Sequence, residues 1–398
     1  CLEKGLVKLP YISCMNTQAG RIREKYRALF GSEPAVWFSP GRINLIGEHV
    51  DYNDGYVMPA AINKGVWFAI ARNDSDTIRF HAADLDESFS IPVQQVQRQE
   101  GWKNYVLGVL HELRLLQKNI TGFDCVFGGD IPRGSGMSSS AAVEGGLAYA
   151  LNELFGFGMG RTELALLCQR AEHNYPGVKC GIMDMYASLH GKKGHVLLLD
   201  CQRISHEYFP LKLDGYSIVL LNSKVHHSLA SGEYNIRRHN CEEGLALLKE
   251  QLPVHSFRDI TSVERIEPFR ERMRPEVYAC CRYVIEEIRR TRQAAACLQQ
   301  NSLAGLGQLM FETHEGLSGL YKVGCAETDF LVDLARQNPS VIGARQMGGG
   351  FGGCTINLVK TEAVDDFMEQ CRLAYHNRFS IALEGYVMET ADGTGKIE

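Results

Sequence analysis

Neither of the two commonest nucleotide-binding loops occurs in this chain. No Gly-Lys-Ser or Gly-Lys-Thr is present, which excludes a Walker A loop. Gly134 and Gly136 are followed by Ser139 where a Rossmann fingerprint places its third glycine. There is no excess of positive charge either: the formal net charge of -5 argues against a nucleic-acid partner, so any anionic ligand must be held by local geometry and a bound cation. No apolar run of membrane-spanning length occurs, and the start lacks a charged-then-apolar leader pattern, so the expectation is a soluble, cytoplasmic chain. The 13 cysteines include no Cys-x-x-Cys and sit mostly in apolar runs, which points to reduced, buried thiols and not to a disulfide framework. No His-Glu-x-x-His is found, since His111 and His314 each precede a glutamate but lack the second histidine; zinc is not expected. Internal repeats and low-complexity segments are missing too.

What is present is a small-residue loop, Gly129 to Ala142 (GDIPRGSGMSSSAA), placed just before an apolar helical pattern. A helix start carries unpaired N–H groups and the positive end of the helix dipole, so a phosphate is the natural ligand. The alternative is a Ser/Gly-rich turn that merely caps a helix. The following helix favours the ligand. Val143, Leu147, Leu151 and Leu154 recur at helical spacing, while Ala141, Ala142, Gly145, Gly146 and Ala148 leave it slim enough to lie close to a sheet. Interior glycines cost about 1 kcal/mol each relative to alanine, and close packing is the better reason for them.

Three further constellations stand out. Ser39 to Asn53 (SPGRINLIGEHVDYN) gathers Arg42, Glu48, His49, Asp51 and Asn53 around an apolar Ile43 to Ile46 stretch, with Pro40, Gly41 and Gly47 expected at sharp bends. Carboxylates and an imidazole so close together suit a polyhydroxylated ligand; the alternative is a solvated polar loop. Glu172 to Gly191 starts near the end of a helix expected to begin at an N-cap Thr162, with Leu164, Leu167, Cys168 and Ala171 as its buried stripe. Glu172 beside that stripe is either a capping or surface charge or a metal ligand. Asp184 opens another helix that Gly191 can end, which is a common capping arrangement. Finally, Gly348 to Gly353 (GGGFGG) is costly to order unless backbone must pass close to something, as at a second approach to the phosphate pocket.

At 398 residues the chain exceeds a single core, so two domains are expected, 1–215 and 216–398, with the Asp214-Gly215 turn at the boundary and the last residues returning to the first. Val66 to Ala71 and Ile78 to His81 read as two strands of a hairpin around the Asn73 to Asp76 turn. Ser217 to Asn222 reads as a buried strand, and Glu242 to Arg292 as largely helical. The fold class is α+β.

Taken in order, SPGRINLIGEHVDYN, GDIPRGSGMSSSAA and QMGGGFGGC, with CGIMD at Cys180 to Asp184 and SGEYNIRR at Ser231 to Arg238, make the chain similar to galactokinases of the GHMP small-molecule kinase superfamily. The resemblance runs from about residue 25 to the C-terminus; the first motif is specific to sugar kinases of this type, the glycine-rich ones only to the superfamily. It implies an N-terminal domain like ribosomal protein S5 domain 2, a ferredoxin-like C-terminal domain, and transfer of phosphate from ATP to the C1 hydroxyl of galactose. It further implies Asp184 as the catalytic carboxylate with Arg42 as its partner, and Glu48, His49, Asp51, Gly181, Asp184 and Tyr234 as sugar contacts. Gly134, Ser135, Gly136, Met137, Ser138, Ser139 and Ser140 would hold the ATP phosphates, with Trp102 by the adenine and Ser140 and Glu172 near Mg²⁺. A monomer is expected. Val50, Met185 and Gln346-Met347 stand where the family usually has Thr, Gln and Met-Thr, which leaves sugar selectivity more open than reaction type. A sister kinase for N-acetylgalactosamine or arabinose, a non-catalytic galactose sensor and a plain anion-binding module remain as alternatives. The intact Ser138 to Ala142 run counts against the sensor, and the joint presence of Arg42, Asp184 and Glu172 against the last.

Overall fold

The computed structural model describes residues 11–132, 134–226 and 230–397; Arg133 of the phosphate loop and Cys1 lie outside them, as does the side chain of Ser231. The first half comprises α1 (Tyr11–Phe30), β1 (Ala35–Asn44), β2 (Tyr56–Val57), β3 (Pro59–Arg72), β4 (Thr77–Ala82), β5 (Glu87–Pro92), α2 (Lys103–Leu115), β6 (Phe123–Gly129), α3 (Ser139–Phe155), α4 (Arg161–Asn174), α5 (Met183–His190), β7 (His195–Asp200) and β8 (Ser205–Pro210). The second half follows with β9 (Tyr216–His226), α6 (Ala230–Lys249), α7 (Pro275–Gln299), α8 (Leu303–Glu315), α9 (Ala326–Gln337), β10 (Val341–Met347), β11 (Gly352–Lys360), α10 (Val364–Phe379), β12 (Glu384–Met388) and β13 (Gly395–Lys396).

A six-stranded sheet has the order β13-β1-β3-β6-β4-β5, so the last residues of the chain pair with β1. An antiparallel sheet β10-β11-β9-β12 forms in the second half, and β2-β7-β8 is a small third sheet. Apolar packing runs across position 215: Ile43, Leu45 and Ile62 share one cluster with Ile218, Leu220 and Ile356.

Three local expectations change. β3 and β4 are strands but not a hairpin, because β6 lies between them, antiparallel to β3 and parallel to β4. Every residue of β6 but the last is buried, so both of its edges need ladder partners, which the centre of a sheet supplies. Helix α4 is capped by Gly160, whose N–H donates to Glu163 at 2.7 Å; Thr162 already lies inside the helix. The stretch from Glu242 to Arg292 is two helices separated by short 3₁₀ turns, with Pro268 near the start of one turn and Pro275 opening the second helix at its first position.

The slim profile of α3 has a clear cause. A Cβ at Gly146 would stand 2.2 Å from a ring carbon of Phe68 and 2.8 Å from Cβ of Ser39, so only glycine lets the helix lie on the sheet there. This seats the N-terminus of α3 beside the middle of β1.

Candidate functional site

β1 does not turn at Pro40-Gly41 as the sequence suggests; it continues to Asn44 through a register shift between Pro40 and Arg42. A bulge of this kind re-aims a side chain while keeping the strand. The phosphate loop docks at that irregularity. The Arg42 N–H donates to the Met137 carbonyl at 3.1 Å, and a Cβ on Gly41 would stand 2.6 Å from the same oxygen. Gly134, Gly136 and Ser138 all take positive φ, of 67°, 72° and 58°. Alternating left-handed residues before a helix N-terminus make an anion-binding concavity, and a non-glycine residue held there marks a site whose surroundings impose the strain.

Arg42 reaches Asp184 with two parallel bonds, Nε to Oδ1 and Nη2 to Oδ2, each 2.8 Å. Its remaining fork donates to the Gly136 carbonyl, and the Ser138 hydroxyl donates to Asp184 Oδ2. One acidic group is therefore tied at once to β1, to the phosphate loop and to its own helix start. Burial works against the Arg42 charge, but Asp184 and then Glu48 more than offset it. The pair is asymmetric: the Arg42 side chain is 5% exposed and that of Asp184 25%, so the carboxylate faces open space.

That space is a cavity of about 200 Å³ between the two halves, lined among others by Arg42, Glu48, His49, Asp51, Glu172, Asp184, Tyr234, Gly348 and Gly349. Glu48, His49 and Asp51 come from the turn after β1, with His49 at φ 60°. His49 accepts from or donates to the Tyr52 hydroxyl at 2.7 Å, and burial lowers its pKa to about 4, which leaves a neutral imidazole. Asp51 is pushed up to about 7, first by burial and then by Asp184 and Glu48. Gly181 is obligatory beside it, since a Cβ there would stand 2.0 Å from Asp51 Oδ2. Tyr234 packs its ring 5.3 Å from that of His49. The glycine-rich turn completes the wall: Gly348 and Gly136 pass close together, and a Cβ on Gly136 would meet the Met347 carbonyl at 3.2 Å. Its anticipated close backbone approach is what the geometry contains.

Ser140 and Glu172 face one another, with Oγ to Oε2 at 3.5 Å. Glu172 is pushed up to about 7 by burial and then by Asp184, and the wholly buried Glu144 next to it is raised well above the ordinary carboxylate range. Hard oxygens short of positive charge are the donor set that suits Mg²⁺, which takes one or two carboxylates and completes its shell with water and phosphate oxygens. Beyond Ser139 and Ser140 opens a second cavity of about 370 Å³, walled by Val66, Leu85, Trp102, Tyr105, Phe127 and Val143. Trp102 Nε1 donates to Glu87 at 2.7 Å, which fixes the indole edge at its mouth.

Of the site residues named from the sequence, Arg42, Glu48, His49, Asp51, Glu172, Asp184 and Tyr234 line the first cavity and Trp102, Ser139 and Ser140 the second, whereas Ser135 and Met137 are buried beneath the loop. None of the side chains that depart from the family pattern lines either cavity. Met185 and Val50 are fully buried in the apolar core, and Asp184 takes its support from Arg42 and Ser138. Gln346 is also buried, its backbone N–H donating to His314 Nδ1 and its side-chain Oε1 accepting from the Thr328 hydroxyl. Sequence reasoning missed Tyr52, Tyr321 and Arg345. Tyr52 lies inside the first motif and was within reach, whereas Tyr321, bonded to Tyr52 at 2.9 Å, carries no local signal.

Comparison with known proteins identifies the family. Residues 24–72 match the galactokinase galactose-binding signature, 104–192 the GHMP kinase N-terminal domain and 294–377 the GHMP kinase C-terminal model. The chain is 40% identical over 359 residues to the galactokinase of Thermotoga neapolitana, covering 90% of this chain and 99% of that one. It is 37% identical to the galactokinase of Clostridium acetobutylicum, covering 94% and 98%. The crystal structure of Lactococcus lactis galactokinase complexed with galactose superposes with a TM-score of 0.91 at 32% identity, covering 95% of this chain and 99% of that one. By motif, relatives and fold, the chain belongs to the galactokinase family of GHMP kinases.

Proposed function

We propose that this protein transfers the terminal phosphoryl group of ATP to the C1 hydroxyl of galactose, giving galactose 1-phosphate and ADP. The observation that carries the reading is the bidentate Arg42–Asp184 pair, which stands where the polar cavity meets the serine loop. Glu48, His49, Asp51 and Tyr234 supply the acceptors, donor and ring face that a pyranose with several hydroxyls requires. The loop from Gly134 to Ser140 receives the triphosphate, and the apolar cavity behind Trp102 receives the adenine.

Phosphoryl transfer passes through a loose transition state, so alignment and charge stabilisation dominate and no strong base is needed. Asp184 accepts a hydrogen bond from the anomeric hydroxyl, points its oxygen at the phosphorus, and takes the proton as the new O–P bond forms. Arg42 holds the carboxylate in one orientation and offsets charge on the transferring group. Ser140 and Glu172 are the residues to hold Mg²⁺, which when bound neutralises charge on the phosphate oxygens. The eleven described cysteines are free, eight of them buried, which suits a reducing, cytoplasmic setting.

The test is ADP release measured by a coupled assay over galactose, talose, glucose, N-acetylgalactosamine and arabinose. Turnover highest with galactose is expected. Preference for N-acetylgalactosamine or arabinose would move the protein to a sister sugar-1-kinase, and no turnover with any sugar would refute the reading.

A further inference from the structure

Behind the sugar cavity lies a second arginine–carboxylate pair that the reaction does not use. Arg345, near the end of β10, is fully buried; its Nη1 donates to Glu48 Oε2 at 2.6 Å, and the two side chains are 0% and 3% exposed. The same guanidinium donates to the carbonyls of Leu45 at 2.7 Å and Gln346 at 2.8 Å, and to that of Asn44. One planar fork thus grips both the backbone and the carboxylate of the sugar-facing turn. Neighbouring residues of the second half add to the grip: Tyr283 donates to the Glu48 carbonyl at 3.0 Å, and the Gly47 N–H donates to Glu287 at 2.8 Å.

A buried ion pair is seldom the most stable way to fill a core, because desolvating both charges costs about what their attraction returns. Arg345 does not line the sugar cavity, while Glu48 does. We infer that Arg345 is a positioning residue for sugar recognition: its fork fixes the Glu48 carboxylate in the rotamer that meets the sugar, so that a buried residue of the second half sets affinity through a sugar contact of the first. The inference rests on the galactokinase reading. Lysine can supply the charge but not the fork, which separates orientation from electrostatics.

The experiment is steady-state kinetics of wild type, R345K, R345Q, E48Q and the double variant R345K/E48Q, with both Michaelis constants and kcat measured for each. R345K is expected to raise KM for galactose roughly tenfold while KM for ATP and kcat stay within about twofold to threefold, and R345Q to raise it further. In the E48Q background R345K should add nothing, because the group it acts through no longer reads its orientation. An unchanged galactose KM in R345K, equal rises for both substrates, or effects that multiply in the double variant would each overturn the inference. If neither single variant is soluble, the pair swap R345M/E48M decides. Solubility of the pair shows that the arginine serves the glutamate, and insolubility shows that it serves the fold instead. Wild type inactive on galactose would defeat the functional reading itself; an active wild type with an unaffected R345K would defeat only this proposal.

Discussion

Two of the buried arginine–carboxylate pairs of this molecule, Arg42–Asp184 and Arg345–Glu48, make opposite use of the same chemistry. Arg42–Asp184 joins elements of the first half and leaves its carboxylate a quarter exposed to the cavity, whereas Arg345–Glu48 spans the two halves and is almost wholly buried, only Glu48 reaching the cavity wall. In the first pair the arginine's third contact is the phosphate loop; in the second, the other contacts are the Asn44 and Leu45 carbonyls that lead into the sugar-facing turn and the Gln346 carbonyl of its own strand. A guanidinium facing a reacting centre acts on charge, and one buried behind a binding group acts on geometry. The difference teaches where each kinetic constant should respond: kcat to the first pair, galactose KM to the second.

The largest effect that could break this comparison is at the first pair. Arg42→Ala is expected to lower kcat by about 10²–10³, roughly 3–4 kcal/mol of transition-state stabilisation, with circular dichroism unchanged. A loss confined to KM would erase the distinction between the pairs. Next comes Gly181→Ala, whose Cβ would stand 2.0 Å from Asp51 Oδ2. Displacing that carboxylate should raise galactose KM roughly tenfold and leave ATP nearly untouched, as titration of each substrate in turn would record. Trp102→Ala should do the reverse, raising KM for ATP severalfold and not that for galactose; equal changes would remove the indole from the nucleotide side.

The smallest expected effect is on pH dependence. Asp51 in the folded protein titrates near 7, above its ordinary value, because burial and the Asp184 and Glu48 charges oppose ionisation. Its raised folded-state pKa means stability is lost as pH climbs from the ordinary carboxylate range through about 7. Asp51→Asn removes that loss, so the melting temperature of the variant minus that of wild type should grow between about pH 5 and pH 8. His49, lowered to about 4, contributes equally to both proteins and cancels. A difference that shrinks with rising pH would contradict the assignment.

How much of this was legible beforehand depends on the range of the cause. The phosphate loop, the Arg42 and Glu48–Asp51 turn and the Asp184 helix are local patterns, and their residues could be read as chemistry before any fold was known. The bulge at Gly41 was misread as a bend because its cause, the Met137 carbonyl of a segment far along the chain, is tertiary. The hairpin expected of β3 and β4 failed for the same reason, since β6 enters from outside the local window. Arg345 escaped notice because a lone arginine in a strand has no periodic or motif signal; only the buried carboxylate opposite gives it meaning.

The most direct test of the central assignment follows the anomeric carbon itself. Galactose labelled with ¹³C at C1 is mixed with ATP and Mg²⁺ and watched by ¹³C and ³¹P NMR, using wild type and Asp184→Asn in parallel after calorimetry has shown that both bind galactose. Wild type should build up a C1-phosphate signal while the variant leaves the sugar unmodified over the same period. A phosphate on another carbon, or a C1-phosphate made by Asp184→Asn at a rate near that of wild type, would contradict the account.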